Sequence, residues 1–238
     1  MTKNHIKRLA APKTWPIERK KTKWIAKPLP GPHPLDNGMT IKLILIDILK
    51  YAKSAKEVKK ILNEGKILVD NKIRKEEKFP VGLFDVISIP DTNEHFRILL
   101  NKKGKFFLHP IKKEESTIKP RKIIGKTILK NKRIQLNFYD GTNKLIDKDE
   151  YKVFDTVIFN LVKNEIKEHI NFEKGSIVFI YSGKQVGLTG EIEEIKNFNN
   201  TQKPLITISK DKDKLQTLKK YAFVIGKTKP VISLPNER

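Results

Sequence analysis

Beyond residue 65 the chain is interrupted at short intervals by residues that tolerate a left-handed backbone, and between them lie short runs in which apolar and polar side chains alternate. "KILVDNKIR" turns at Asp70-Asn71, "FRILLNKKGKFFLH" around Gly104, "IQLNFYDGTNKLI" around Asp140-Gly141 and "TVIFNLVKNEIKEHI" around Lys163-Asn164. Alternation of period two on both sides of a turn signal is the pattern of a β-hairpin with one buried face. "FDVISI" reads as a strand returning beside the first hairpin. Further on, Gly175, Gly183, Gly187 and Gly190 punctuate two apolar strands, as the bends of a small, strongly curved barrel require, and "PLITIS" and "YAFVIG" are placed to close it. At 238 residues there is room for several small cores. The expected class is α+β, multidomain and mostly β.

Helical signals are confined to residues 42–65. Ser54 followed by Glu57 is a capping-box pattern, and Gly65 is a C-terminal stop. Between them Ala55, Val58, Ile61 and Leu62 fall on one face, with Lys56, Lys59, Lys60 and Asn63 opposite. One face packs and the other is cationic.

Charge narrows the partner. Fifty Lys and Arg against twenty-seven Asp and Glu leave +23, a field whose natural counterpart is a polyanion. The longest greasy run, "IKLILIDIL", contains Lys42 and Asp47 and falls short of the roughly 18 apolar residues of a membrane span. Pro12 and the basic cluster stand where a signal peptide would need its apolar segment, so a cytoplasmic location is expected. Cysteine is absent, which removes disulfides, thiolate metal sites and a cysteine nucleophile, and the five histidines show no metal-ligand spacing.

Residues 1–41 hold nine Lys or Arg against Glu18 and Asp36, with six of the thirteen prolines. Such a segment predicts an extended arm without a core of its own. Trp15 and Trp24 among the cations suit stacking on bases beside phosphate contacts. The candidate RNA-binding residues of the arm are Lys3, Lys7, Arg8, Lys13, Trp15, Arg19, Lys20, Lys21, Lys23 and Trp24.

Four segments follow from these patterns: the arm 1–41, a module 42–91, a β domain 92–172 and a barrel with its tail 173–238. The two helices and hairpin of the second resemble the S4-type RNA-binding module. That resemblance implies RNA contacts from Lys56, Lys59, Lys60 and Lys66, with Lys72 and Arg74 on the hairpin. Lys59 replaces the family's usual arginine, and Asp70-Asn71 its usual Asn-Gly. "EKGSIVFIYSGKQVGLTGEIEEI" resembles the KOW motif of SH3-like barrels, with Val186 where a lysine often precedes the glycine. Its contact loop carries over to Ser182, Gly183, Lys184, Gln185 and Gly187. The β domain carries eighteen basic against ten acidic residues, and Lys119, Arg121, Lys122, Lys130, Lys132 and Arg133 are expected to add phosphate contacts.

Catalytic signatures are missing. The two "GKT" stretches lack the glycine a phosphate loop needs five residues earlier, where Pro120 and Tyr221 stand. The pairs Glu76-Glu77 and Glu114-Glu115 sit beside lysines and read as solvated. Taken in order, the arm with "KRLAAPKTW", the S4-type module, the β domain, the KOW barrel and the closing "FVIGKTKPVISLP" resemble the e-type small-subunit ribosomal protein four of archaea and eukaryotes. The resemblance implies a structural constituent of the small ribosomal subunit, bound to ribosomal RNA and neighbouring ribosomal proteins. It implies no enzyme activity, cofactor, metal, small-molecule substrate, membrane association or homo-oligomer. The alternatives are a free-standing RNA chaperone or a KOW-type transcription or translation factor, and an RNA-modifying enzyme.

Overall fold

The computed structural model describes residues 5–130, 133–196, 203–210 and 213–235. The chain divides into two compact units, Met1–Leu99 with Lys105–Lys119, and Leu100–Gly104 with Pro120–Arg238.

The first unit opens with a short antiparallel pair, β1 (His5–Lys7) and β2 (Trp24–Ala26), registered Ile6 to Ile25. Next come β3 (Gly38–Thr40) and a helical turn α1 (Ile41–Leu43), which widens into a π turn over Ile44–Ile48. Thr40 starts α1 by accepting from the Leu43 N–H at 3.3 Å. Helix α2 (Ala55–Asn63) has the expected cap, with Ser54 Oγ accepting from the Glu57 N–H at 3.3 Å, and Val58 and Leu62 buried beneath it. Strands β4 (Leu68–Val69) and β5 (Lys72–Ile73) turn at Asp70 and Asn71, both left-handed, with φ of 51° and 61°. Both values suit the two-residue turn that matches strand twist. After β6 (Pro80–Gly82), paired with β3, come β7 (Val86–Ile89), β8 (Glu94–Leu100) and β9 (Phe106–Pro110). They form one sheet in the order β5-β4-β7-β8-β9.

Two sequence expectations change here. The hairpin around Gly104, which pattern places in the domain 92–172, extends the sheet of the S4-like module instead. The segment 1–41, expected to lack a core, packs within this unit: Trp15 is 1% exposed and its Nε1 donates to the Gly38 carbonyl at 2.9 Å. His33, also buried, holds Asp85 through Nε2 at 2.9 Å, with its ring against the backbone of Gly82. A few anchors spaced along a proline-rich chain thus do the work of a regular apolar stripe, and periodicity cannot register them.

The second unit contains β10 from Pro120 onward (Ile118–Ile128), then β11 (Ile134–Phe138), β12 (Asn143–Ile146), β13 (Thr156–Asn160) and β14 (Glu165–Ile170), ordered β12-β11-β10-β13-β14. Its core is Ile123, Leu136, Phe138, Val157 and Phe159. Strands β15 (Ile177–Ile180), β16 (Thr189–Lys196), β17 (Leu205–Lys210), β18 (Asp213–Leu218) and β19 (Ala222–Gly226) make a second sheet, ordered β18-β17-β16-β15-β19. The first strand lies beside the last, the order of an SH3-like barrel. Strand β18 leaves no pattern in the sequence, because "DKLQTL" carries charges and no apolar run.

One turn recurs before three strands. Phe84 (φ 65°), Phe154 (φ 80°) and Gly175 (φ 82°) are all left-handed. The residue after each, Asp85, Asp155 or Ser176, donates its N–H back three residues, to Gly82 at 3.2 Å, Lys152 at 3.2 Å and Glu173 at 3.3 Å. Phenylalanine is strained in that region and glycine is not. Burial of Phe84 at 1% exposure helps offset the strain, at about 1.5 to 3 kcal/mol for a large apolar side chain.

Asp85 sits at the centre of the first unit. Besides His33, its carboxylate accepts from the Gly82 N–H at 2.9 Å and from Lys119 Nζ at 2.5 Å, and Lys119 also donates to Asp70 at 2.6 Å. Burial by itself would raise the Asp85 carboxyl, but His33 and Lys119 together hold it below the ordinary range. Lys119→Met would strand two carboxylates, so it should destabilise the protein by about 3 to 5 kcal/mol. Paired with Asp85→Asn, the loss should be smaller than the sum of the two single losses, as thermal melts of the three variants would measure.

Candidate nucleic-acid interface

Two groups of exposed cations in the first unit coincide with the residues expected to bind RNA. The segment between β1 and β2 is tied back on itself by Arg19, whose guanidinium donates to the Ala11 and Pro12 carbonyls, each at 2.8 Å. Lys7, Lys13, Lys20, Lys21 and Lys23 are exposed around it. A groove of about 480 Å³ is lined by Lys7, Arg19, Lys20, Lys21 and Lys23 with Leu9 and Thr22, giving five cations around one concave surface. Such a surface suits a phosphate backbone, where guanidinium and ammonium donors meet anionic oxygens. Trp24, 43% exposed, stands beside it with Lys23 Nζ 5.6 Å from its ring centroid.

The second group is α2 and the hairpin after it. Lys56, Lys59, Lys60 and Lys72 are exposed. Lys66 is exposed as well, but it is paired with Glu64 at 2.9 Å and Asp91 at 3.4 Å. The hydrogen bond it donates to Glu64 is the main reason its ammonium lies above the ordinary lysine value. Arg74 is half-buried with its guanidinium carbon 4.2 Å from the centroid of Phe79, which fixes the fork in a plane.

In the second unit the β15–β16 connection exposes Gly183 and Lys184, while Ser182, Gln185 and Gly187 are half-buried. Gly187 (φ 80°) serves the fold: a Cβ there would lie 2.4 Å from the Asn101 carbonyl oxygen. Lys130 and Arg133 are exposed. Lys3 and Lys132 lie outside the described residues.

Several expected contact residues belong to the interior. Trp15 cannot stack on a base, because its ring is enclosed by its own unit. Arg8 is buried, with Nε donating to Thr22 Oγ1 at 3.0 Å, Nη1 to the Glu18 carbonyl at 2.8 Å, and Nη2 3.5 Å from Asp47. Lys119 is held by Asp70 and Asp85, and Arg121 by Asp140 at 2.8 Å. Lys122 donates to the carbonyls of Lys220 at 2.8 Å and Ala222 at 2.6 Å. These cations read as surface in a sequence because their partners are remote: Lys122 bonds across 98 and 100 residues. The acidic pairs divide similarly. Glu76 and Glu114 are exposed, but Glu77 is buried and Glu115 binds the buried Arg97 guanidinium. Among the described residues no helix is long and apolar enough to cross a membrane, and no cluster of His, Asp and Glu could hold a metal.

Two β-rich units under a strong positive field, one carrying a helix and hairpin with a cationic face, define a modular nucleic-acid-binding protein. Family models place it further: one described as the RS4NT (NUC023) domain matches residues 2–36, the S4 domain matches 44–87, and "Ribosomal family S4e" matches 92–166. A protein of Methanocaldococcus jannaschii named small ribosomal subunit protein eS4 is 44% identical over 241 residues, covering 98% of each chain. Its namesake in Methanocella arvoryzae is 42% identical over 232 residues, again covering 98% of each. The crystal structure of the 30S ribosomal protein S4e from Thermoplasma acidophilum matches with a TM-score of 0.71 at 31% identity, covering 81% of this chain and 97% of that one. The chain belongs to the S4e family of ribosomal proteins.

Lys122 yields a pH test. Burial, with Lys219 as a second cause, pushes its ammonium down to about 7 from 10.5. A neutral amine has two N–H donors, which matches its two carbonyl acceptors. Between those values the unfolded chain binds the proton and the folded chain does not, so this group makes stability rise with pH from about 7 toward 10.5. Urea unfolding followed across that range should show the rise in the native protein, and Lys122→Met should remove it.

Proposed function

We propose that this chain is a structural constituent of the small ribosomal subunit that binds ribosomal RNA, with the exposed cations of the β1–β2 segment, α2 and the β4–β5 hairpin as its phosphate contacts. The observation that carries the reading is the 42% and 44% identity, along nearly the whole chain, to archaeal proteins named for that subunit. Geometry supports the assignment of contacts. Lys56, Lys59 and Lys60 occupy the exposed face of a helix whose other face is packed, and the cationic groove is built on a segment already held by Trp15 and His33. Preorganised cations bind more tightly than the same charges on a loose tail, because ordering the backbone costs roughly 1 to 2 kcal/mol per residue. Specificity comes from RNA shape, since A-form grooves hide the base edges. Of the S4-like hairpin and the β15–β16 connection, Lys72, Lys184 and the stacked Arg74 add further backbone contacts. Neighbouring ribosomal proteins are the other partners, and the protein acts in the cytoplasm as part of the ribosome, without chemistry of its own.

Expressed in its host, the protein should sediment with small subunits through a high-salt wash; release into the free pool would refute the reading. The triple change Lys56→Ala, Lys59→Ala and Lys60→Ala should flatten the log–log salt dependence of ribosomal RNA binding by about 0.7 to 0.9 for each phosphate that is no longer neutralised. An unchanged slope would take α2 out of the interface.

A further inference from the structure

The tripeptide Gly-Lys-Thr occurs twice in the second unit, and the fold treats the two copies differently. In the first, Gly125–Thr127, all three residues lie in β10, where Lys126 is ion-paired with Asp149 and Thr127 Oγ1 accepts from Asn137 Nδ2 at 3.0 Å. Its polar side chains are engaged within the fold. The second, Gly226–Thr228, begins at the last residue of β19 and continues into a tight turn. Gly226 bridges to Pro230 across that turn, and the Val231 N–H donates to the Ile225 carbonyl at 2.9 Å. Ile225 on one side and Ile232 on the other are buried, so both stems are anchored. A Cβ at Gly226 would lie 2.0 Å from the Lys229 carbonyl oxygen, which restricts that position to glycine.

Lys227, Thr228 and Lys229 are exposed at the tip. Among the described residues nothing forms an ion pair or hydrogen bond with either ammonium group or with the Thr228 hydroxyl. Glu191, which lies two strands across from Gly226 in the register, pairs with neither lysine. We propose that this turn is a phosphate-binding element for RNA, in which Lys227, Lys229 and the Thr228 hydroxyl donate to backbone phosphate oxygens. The inference rests on the RNA-binding reading above and adds to it a contact at the end of β19. Ammonium and hydroxyl groups are the donors that phosphate oxygens accept from, and such contacts require no base edge. The other occupant of a charged surface turn would be a protein. Protein interfaces are depleted in lysine and depend on large anchoring side chains, and the tip carries no aromatic or long aliphatic residue. Because the turn is already held in shape, little further ordering of its backbone is needed on binding.

The test uses the full-length protein and small-subunit ribosomal RNA. Lys227→Ala together with Lys229→Ala should flatten the log–log salt dependence of binding by about 0.7 to 0.9 for each phosphate no longer neutralised, with the melting temperature unchanged. Lys227→Arg with Lys229→Arg keeps both charges and should keep the native slope. Cysteine is absent from the chain, so Thr228→Cys supplies a single thiol for a tethered iron–EDTA probe. The hydroxyl radicals it generates should cut the bound RNA at a confined set of nucleotides. A native slope in the double alanine variant overturns the inference. If that variant also loses its place on the small subunit, the turn belongs to a neighbouring protein instead. Failure of the Thr228→Cys probe to cut RNA that is bound overturns the inference as well. In both cases native protein still binds the RNA, and the ribosomal assignment stands. Native protein that does not bind the RNA refutes that assignment and the role of the turn together.

Discussion

Asp85 is where the first unit converges. Its buried carboxylate collects His33 from the proline-rich segment, the Gly82 N–H from its own turn and Lys119 from the start of β10, and Lys119 brings in Asp70 from the β4–β5 turn. Four stretches far apart in the chain therefore meet at one charge. Buried ions tolerate no substitutes of the wrong sign or length, since an unpaired charge in a low-dielectric interior is costly. Through His33 the cluster anchors the proline-rich end of the N-terminal segment to its unit.

The cations of this chain divide by what lies within reach of them. Lys119, Arg97 and Arg121 find carboxylates inside the fold, Lys122 finds two carbonyls, and Arg8 finds a carbonyl, a hydroxyl and Asp47. With twenty-seven acidic residues against fifty basic ones, the remainder cannot all be paired within the chain. Lys56, Lys59, Lys60 and the lysines of the β1–β2 segment stay at the surface. Their charge is available to a polyanion, and its release of counterions is what makes such binding strong and salt-dependent.

Local chemistry is legible in the sequence wherever a single residue type fits a backbone requirement. Ser54 caps α2, Asp70 and Asn71 turn the first hairpin, and Asn164 turns another at φ 56°. The left-handed Phe84 and Phe154 are not legible, because phenylalanine carries no such preference and only tertiary burial selects the conformation. The same limit applies to the site. Helical spacing identifies the lysines of α2, whereas the same kind of reasoning assigns Trp15, Arg8, Lys119 and Lys122 to RNA although their partners lie within the chain.

By itself the sequence determined the class, the hairpins, the cap and stop of α2 and the sign of the partner, because each follows from near neighbours or from a sum over the chain. Only the tertiary structure decided which cations face inward, that the front segment is anchored at Trp15 and His33, and that the Gly104 hairpin joins the first sheet. The reason is electrostatic and steric at once. Whether a lysine is a structural ion or an open contact depends on an acceptor within about 3 Å, and that acceptor is usually many residues away along the chain.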